Sequence, residues 1–192
     1  MRIGVFGGTF DPPHIGHLIL AADACDALSL DQLIFVPAAA QPFKVDTPAV
    51  ASPPERLEMV RLAVAGDSRY VVEDTEIRRE GLSYTVETLE EIAGKNVGAE
   101  LFLLIGQDAL AGFPGWKSHT RILEMATLAV MHREDSPGMD QWRRAERLVE
   151  ISTRRVDVSS TEIRDRLASG KSIKGFVPES VERFIIAHRL YC

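Results

Sequence analysis

Short, nearly unbroken apolar runs recur along the chain, separated by stretches in which apolar residues return every three or four positions. The runs RIGVF (Arg2–Phe6), QLIFVP (Gln32–Pro37), YVVE (Tyr70–Glu73), ELFLLIG (Glu100–Gly106) and TLAVMH (Thr127–His132) predict strands buried on both faces. A more polar run, RRVDV (Arg154–Val158), predicts an edge strand. Between them, Ser52-Pro-Pro-Glu55 has the spacing of a capping box with proline in the first turn. Leu57, Val60 and Val64 follow at helical spacing, and Gly66 ends the run. Tyr84–Ala93, Gln141–Glu150, Ser160–Ser169 and Pro178–His188 predict further helices. Strand and helix in alternation predict an α/β fold: a doubly wound parallel sheet in three α/β/α layers with right-handed crossovers. Nothing repeats and no linker interrupts the pattern, so one domain is expected over residues 1–192.

A chain of 192 residues can bury a core without metal or disulfide staples. Its net charge of −6 argues against general nucleic-acid binding, yet leaves room for a local cluster of donors around a small phosphorylated ligand. Cys25 and Cys192 form no C-x-x-C pair, which fits a reducing cytoplasm. Gly4, Gly7 and Gly8 break the apolar start, so no signal peptide is expected. No apolar stretch is long enough to predict a membrane span.

A sheet of this kind binds ligands at the carboxyl ends of its strands, near the point where strand order reverses. The stretch GGTFDPPHIGH (Gly7–His17) follows the first strand, and Gly106-Gln107-Asp108 follows the fourth. Gly7 and Gly8 permit a sharp turn that exposes backbone N–H groups. Asp11 or a neighbour can cap the next helix, with Pro12-Pro13 fixing φ at its entry. The helix is expected to start near His14, placing His14 and His17 on one face of its first turn, with Gly16 leaving room for a ligand. Helix dipole, free N–H groups and two imidazoles suit a phosphate. Zinc fits poorly, because helical ligand pairs usually stand four apart and no other ligands are clustered nearby. The G-x-G-x-x-G spacing is absent. Gly170-Lys171-Ser172 mimics the end of a P-loop, but Asp165 stands where its first glycine is required, and Gly170 reads as a helix cap.

In VSSTEIR (Val158–Arg164), Ser159, Ser160 and Thr161 are cap residues, and Arg164 lies one turn on with its fork of donors. GGTFDPPHIGH resembles the G-x-F-x-P-x-H-x-G-H signature of the nucleotidyltransferase superfamily, and VSSTEIR resembles its I-S-S-T-x-x-R. Further segments are similar to those of nicotinate mononucleotide adenylyltransferases: Asp74 to Thr85, Ile105-Gly106-Gln107-Asp108 followed by Trp116, and Val177 to Tyr191. The resemblance implies a Rossmann-like nucleotidyltransferase that joins ATP to nicotinate mononucleotide, giving deamido-NAD and pyrophosphate in NAD biosynthesis. Mg²⁺ would be held mainly by the ATP phosphates, with no dedicated protein ligands.

It also implies roles for single residues. His14, His17 and Arg164 would act on the polyphosphate, helped by Lys44. Gly7, Gly8, Thr9 and Phe10 would present backbone to substrate, and Ser159, Ser160 and Thr161 would face the nucleotide. Amides near Thr85, Trp116 and Lys117 would hold the pyridine carboxylate, with Trp116 stacked on the ring; packing alone would also account for a tryptophan there. Gly106 and Asp108 would lie along the ATP ribose or the metal-phosphate region, unless Asp108 only caps a helix. Two positions depart from the family pattern: Phe43 stands before Lys44 where histidine is frequent, and Lys117 follows Trp116 where an aromatic is frequent. Nicotinamide mononucleotide or another phosphorylated acceptor, and an idle nucleotide-binding module, are the rival readings; a tRNA-charging fragment ranks last, because the chain is acidic and shows no anticodon-binding region. Monomer and homodimer are both compatible with the sequence.

Overall fold

The computed structural model describes residues 1–42, 48–132 and 147–192. Six parallel strands form one sheet in the order β3-β2-β1-β4-β5-β6. They are β1 (Arg2–Gly8), β2 (Gln32–Pro37), β3 (Tyr70–Val72), β4 (Glu100–Gly106), β5 (Ala126–His132) and β6 (Leu148–Ser152). The helices are α1 (Ile15–Leu28), α2 (Pro53–Val64), α3 (Thr75–Arg79), α4 (Thr85–Lys95), α5 (Gln107–Leu110), α6 (His119–Met125), α7 (Ser160–Ala168) and α8 (Glu179–Ala187). A 3₁₀ turn spans Phe113–Gly115.

Alternation along each strand divides the core between the two sheet faces. Leu33, Phe35, Phe102 and Leu104 pack with Ala21 and Leu28 of α1, Met59 of α2, Ile163 of α7 and Ile185 of α8. Ile3, Val5, Ile34, Leu101, Leu103 and Ile105 pack with Leu89 of α4, Leu110 of α5 and Ile122 of α6. The result is the three-layer sandwich that the apolar runs predict. Strand order reverses between β1, which pairs with β2, and β4, which continues to β5. Their carboxyl ends, Gly7-Gly8 and Gly106, therefore open a crevice at the switch point.

The edge strand differs from expectation. Residues 148–152 form β6, paired with β5 from Leu128↔Leu148 to His132↔Ser152, whereas Arg154–Val158 is irregular chain. The predicted helix over Gln141–Glu150 fails at its end, because Leu148–Glu150 are strand; residues 141–146 lie outside the described residues. Val156 and Val158, whose alternation suggested a strand, line a cavity instead. The capping box at Ser52 is present, with the Ser52 N–H and hydroxyl both donating to Glu55. Gly170 caps α7 as read: at φ +66 its N–H reaches the Leu167 carbonyl and that of Lys171 reaches Arg166. Among the described residues no helix is long and apolar enough to cross a membrane.

A candidate active site across the switch point of the sheet

The loop after β1 is built around its aromatic residue. Phe10 is buried with φ +50, a left-handed conformation unusual for a bulky side chain. Its ring folds back over Gly8, where an added Cβ would lie 2.9 Å from the Phe10 ring. Gly8 is therefore needed for packing, whereas the sharp turn expected of Gly7 and Gly8, both still in β1, falls at Phe10. The Phe10 ring then meets His17 edge-on at 5.0 Å between centroids.

His14 is the N-cap of α1 rather than a residue of its first turn, and His17 sits at the third helical position. Their rings lie 3.8 Å apart between centroids at 34°. A Cβ on Gly16 would stand 3.0 Å from the His14 ring, so only glycine leaves that ring in place, and Gly16 itself borders a cavity. The His14 N–H donates to Nδ1 of His17 at 3.2 Å. With Nδ1 accepting, a neutral His17 ring must carry its proton on Nε2, leaving one donor for a ligand. Burial lowers the His14 pKa to about 4; burial and then the neighbouring His14 lower that of His17 to about 3. Both rings are thus neutral at pH 7. Buried polar side-chain atoms with no partner among the described residues are Thr9 Oγ1 and His14 Nδ1, both in this loop. A bound ligand satisfies atoms of that kind.

Asp11 does not cap α1. Its buried carboxylate accepts from the N–H groups of Val50 (2.7 Å) and Ala51 (3.0 Å) and from the hydroxyl of Tyr191 (2.7 Å). Burial, and next that hydrogen bond, push the Tyr191 phenol well above its usual range. The Arg164 guanidinium donates to the Asp11 carbonyl at 2.7 Å and to Thr161 Oγ1 at 3.2 Å. Ser159 caps α7 by accepting from Glu162, and the Ser160 hydroxyl donates to the Pro12 carbonyl. The second signature thus docks on the first. The first turn of α1 is less open than expected, because the Ile15 N–H already donates to the Phe176 carbonyl.

A cavity of about 330 Å³ opens between α1 and the ends of β4 and β5, lined by His14, Gly16, Gly106, Asp108, Arg154 and Val156 among others. Gly106 caps α5 and Asp108 is exposed in its first turn. Thr85, Trp116 and Lys117 do not line this cavity; they gather beside α4. Trp116 packs on Phe113 at 5.5 Å between centroids. The Lys117 ammonium donates to Glu87 at 2.7 Å and lies 4.1 Å from the centroid of Tyr84, the residue that caps α4. Thr85 opens that helix. The site therefore has two sides, one under α1 and one at α4, with the ends of β1 and β4 between them. Lys44 lies outside the described residues.

Sequence reading missed Arg56 and Tyr191. Arg56, 1% exposed, donates to the carbonyls of Thr9, Ala39 and Ala51. An arginine in an amphipathic helix reads as a solvated residue, and no local signal marks it as buried.

The cytidylyltransferase-like family model matches residues 5–166. A probable nicotinate-nucleotide adenylyltransferase of Gemmatimonas aurantiaca is 43% identical, covering 100% of this chain and 92% of that protein. One from Thermus thermophilus is 44% identical and covers 100% of both. Among solved structures, the Plasmodium falciparum nicotinic acid mononucleotide adenylyltransferase complexed with NaAD superposes with a TM-score of 0.81. It covers 99% of this chain and 97% of its own, and its 17% identity makes this a likeness of fold.

Proposed function

The chain belongs to the cytidylyltransferase-like family, and from that premise we propose that it transfers the adenylyl group of ATP to nicotinate mononucleotide. The products are nicotinate adenine dinucleotide and pyrophosphate, a step of NAD biosynthesis. Identity above 40% over the whole chain to relatives of that name supports the substrate. One geometric observation carries the chemistry: two neutral histidines at the start of α1 with their rings 3.8 Å apart, and the His17 proton fixed on Nε2.

The acceptor phosphate oxygen attacks the α-phosphorus of ATP in line. A P–O bond forms there, and the bond from that phosphorus to the bridging oxygen breaks, releasing pyrophosphate. A phosphate dianion is already nucleophilic, so the protein contributes alignment and charge stabilisation rather than a base. His17 donates Nε2–H to an α-phosphate oxygen, and His14 serves the polyphosphate beside it. As charge builds, each imidazole becomes a stronger, charge-assisted donor. Arg164 keeps guanidinium donors beyond its bonds to Asp11 and Thr161, and Lys44 adds a second cation. Thr9 and Phe10 present backbone amides.

Adenosine occupies the cavity under α1, beside Gly106, Asp108 and the segment from Ser159 to Thr161. Pyridine lies on the α4 side against Trp116, with Thr85 and Lys117 amides toward its carboxylate. Enzymes of this kind use a divalent metal. Among the described residues no three His, Cys, Asp or Glu side chains are grouped to hold an ion; the reading gives Mg²⁺ to the triphosphate as part of the substrate. The same reading places the reaction in the cytoplasm.

The test is pyrophosphate release with ATP and Mg²⁺, comparing nicotinate mononucleotide, nicotinamide mononucleotide and phosphopantetheine at matched concentrations. Strong preference for the first is expected. Preference for either of the others keeps the chemistry and overturns the substrate.

A further inference from the structure

Two loops must be held in register for the two sides of this site to meet. The loop after β1 carries Thr9, Phe10 and the histidines. The loop after β2 carries Ala39 and Ala40, and it leads to the α4 side: the Ala39 N–H donates to Ser83 Oγ at 2.9 Å, and the Ser83 N–H donates to the Ala40 carbonyl at 2.8 Å. Ser83 stands two residues before Thr85. One side chain touches both loops. Arg56 sends Nη1 to the Thr9 carbonyl at 2.7 Å and Nη2 to the Ala39 carbonyl at 3.1 Å. Its Nε reaches the Ala51 carbonyl at 3.2 Å, next to the segment whose amides hold the Asp11 carboxylate.

We propose that Arg56 is the positioning residue of this enzyme, a buried fork that fixes the histidine loop at a set distance from the loop serving the acceptor side. Its influence passes through Thr9 to Phe10, whose ring packs on His17, and through Ala39 to Ser83. It touches no substrate.

Burying a guanidinium is costly even with the buried carboxyl groups of Asp11 and Glu76 near it, and the same volume filled with apolar side chains would serve packing alone as well. What an apolar residue cannot do is pin three carbonyls from separate segments. Lysine cannot do it either. An ammonium is a point charge on a flexible stem, whereas the planar guanidinium sets its donors at fixed angles. Displacements of about 1 Å at reacting atoms can cost about a hundredfold in rate, so the effect belongs in turnover.

The inference rests on the adenylyl-transfer reading. Its test compares wild type with Arg56→Lys in pyrophosphate release from ATP, Mg²⁺ and nicotinate mononucleotide, well below the melting temperature of the variant. Arg56→Lys should lose about thirtyfold or more in kcat while KM for each substrate stays within about threefold. A kcat within about threefold of wild type, whatever the loss in Tm, would show that Arg56 only holds the fold. A rise in KM alone would also overturn the proposal.

If the variant does not fold, hydrogen exchange of the wild-type chain decides. Amides of residues 8–11, 14–17 and 38–41 should open together and gain protection together when a non-hydrolysable ATP analogue and nicotinate mononucleotide are added. Opening rates differing by more than about tenfold between the loops would overturn the coupling. A wild-type chain inactive with nicotinate mononucleotide whose loops still open as one would instead sink the substrate assignment and leave the coupling standing.

Discussion

At the scale of single residues, the chemistry rests on imidazoles kept neutral. Replacing His17 by alanine removes the Nε2 donor and should lower turnover by about a hundredfold to a thousandfold, with the circular dichroism of the fold retained. Near-normal turnover would remove His17 from its role. The same two rings set a pH dependence of stability. Unfolded, each titrates near 6.5; folded, His14 is lowered to about 4 and His17 to about 3, both chiefly by burial. Between those values and 6.5 the unfolded chain binds the extra protons. Stability therefore falls as pH drops from about 7 toward 3. Urea midpoints at pH 7 and pH 4.5 should differ less in a His14→Asn/His17→Asn double variant than in wild type. Equal slopes in both proteins would show that the rings are not held neutral.

At the scale of elements, α1 shows how a helix can trade its own stability for a site. Glycine costs about 0.8–1.0 kcal/mol relative to alanine inside a helix, yet Gly16 stands in the first turn, where a Cβ would press on the His14 ring at 3.0 Å. In Gly16→Ala the gain in helix propensity offsets the crowding. Tm should move little while kcat falls about tenfold as the ring is displaced. A variant with unchanged kcat would mean that the His14 ring can shift freely. The central elements were legible because strands buried on both faces are apolar in any context; Gln32–Pro37 and Glu100–Gly106 match to the residue. The edge was not. LVEIS of β6 and RRVDV after it are both short and half polar, and only pairing with β5 tells them apart. The helices α3, α5 and α6 are too short to show a period. In the site, glycines and histidines announce themselves by type. Arg56 and Tyr191 act through burial, which emerges only after distant segments are brought together.

At the scale of the whole molecule, the hydroxyl of Tyr191 ties the end of the described chain to Asp11, 180 positions earlier. Tyr191→Phe leaves the ring in place and deprives a buried carboxylate of one donor. It should cost about 1–3 kcal/mol in urea unfolding and lower turnover several-fold. A stability loss below about 0.5 kcal/mol would show that water replaces the hydroxyl.

The central strand carries a further consequence, one of timing. Strand β1 meets β2 through a single crossover helix, but its other neighbour begins at Glu100, 98 positions beyond Arg2. Contacts that distant close slowly during refolding, because chain entropy is lost before they form. The crevice between β1 and β4 should thus be among the last features assembled. On dilution from denaturant, helical signal should return ahead of enzymatic activity, and pulse-labelled amides of Ile3 and Val5 on the β4 side should gain protection after those of α1.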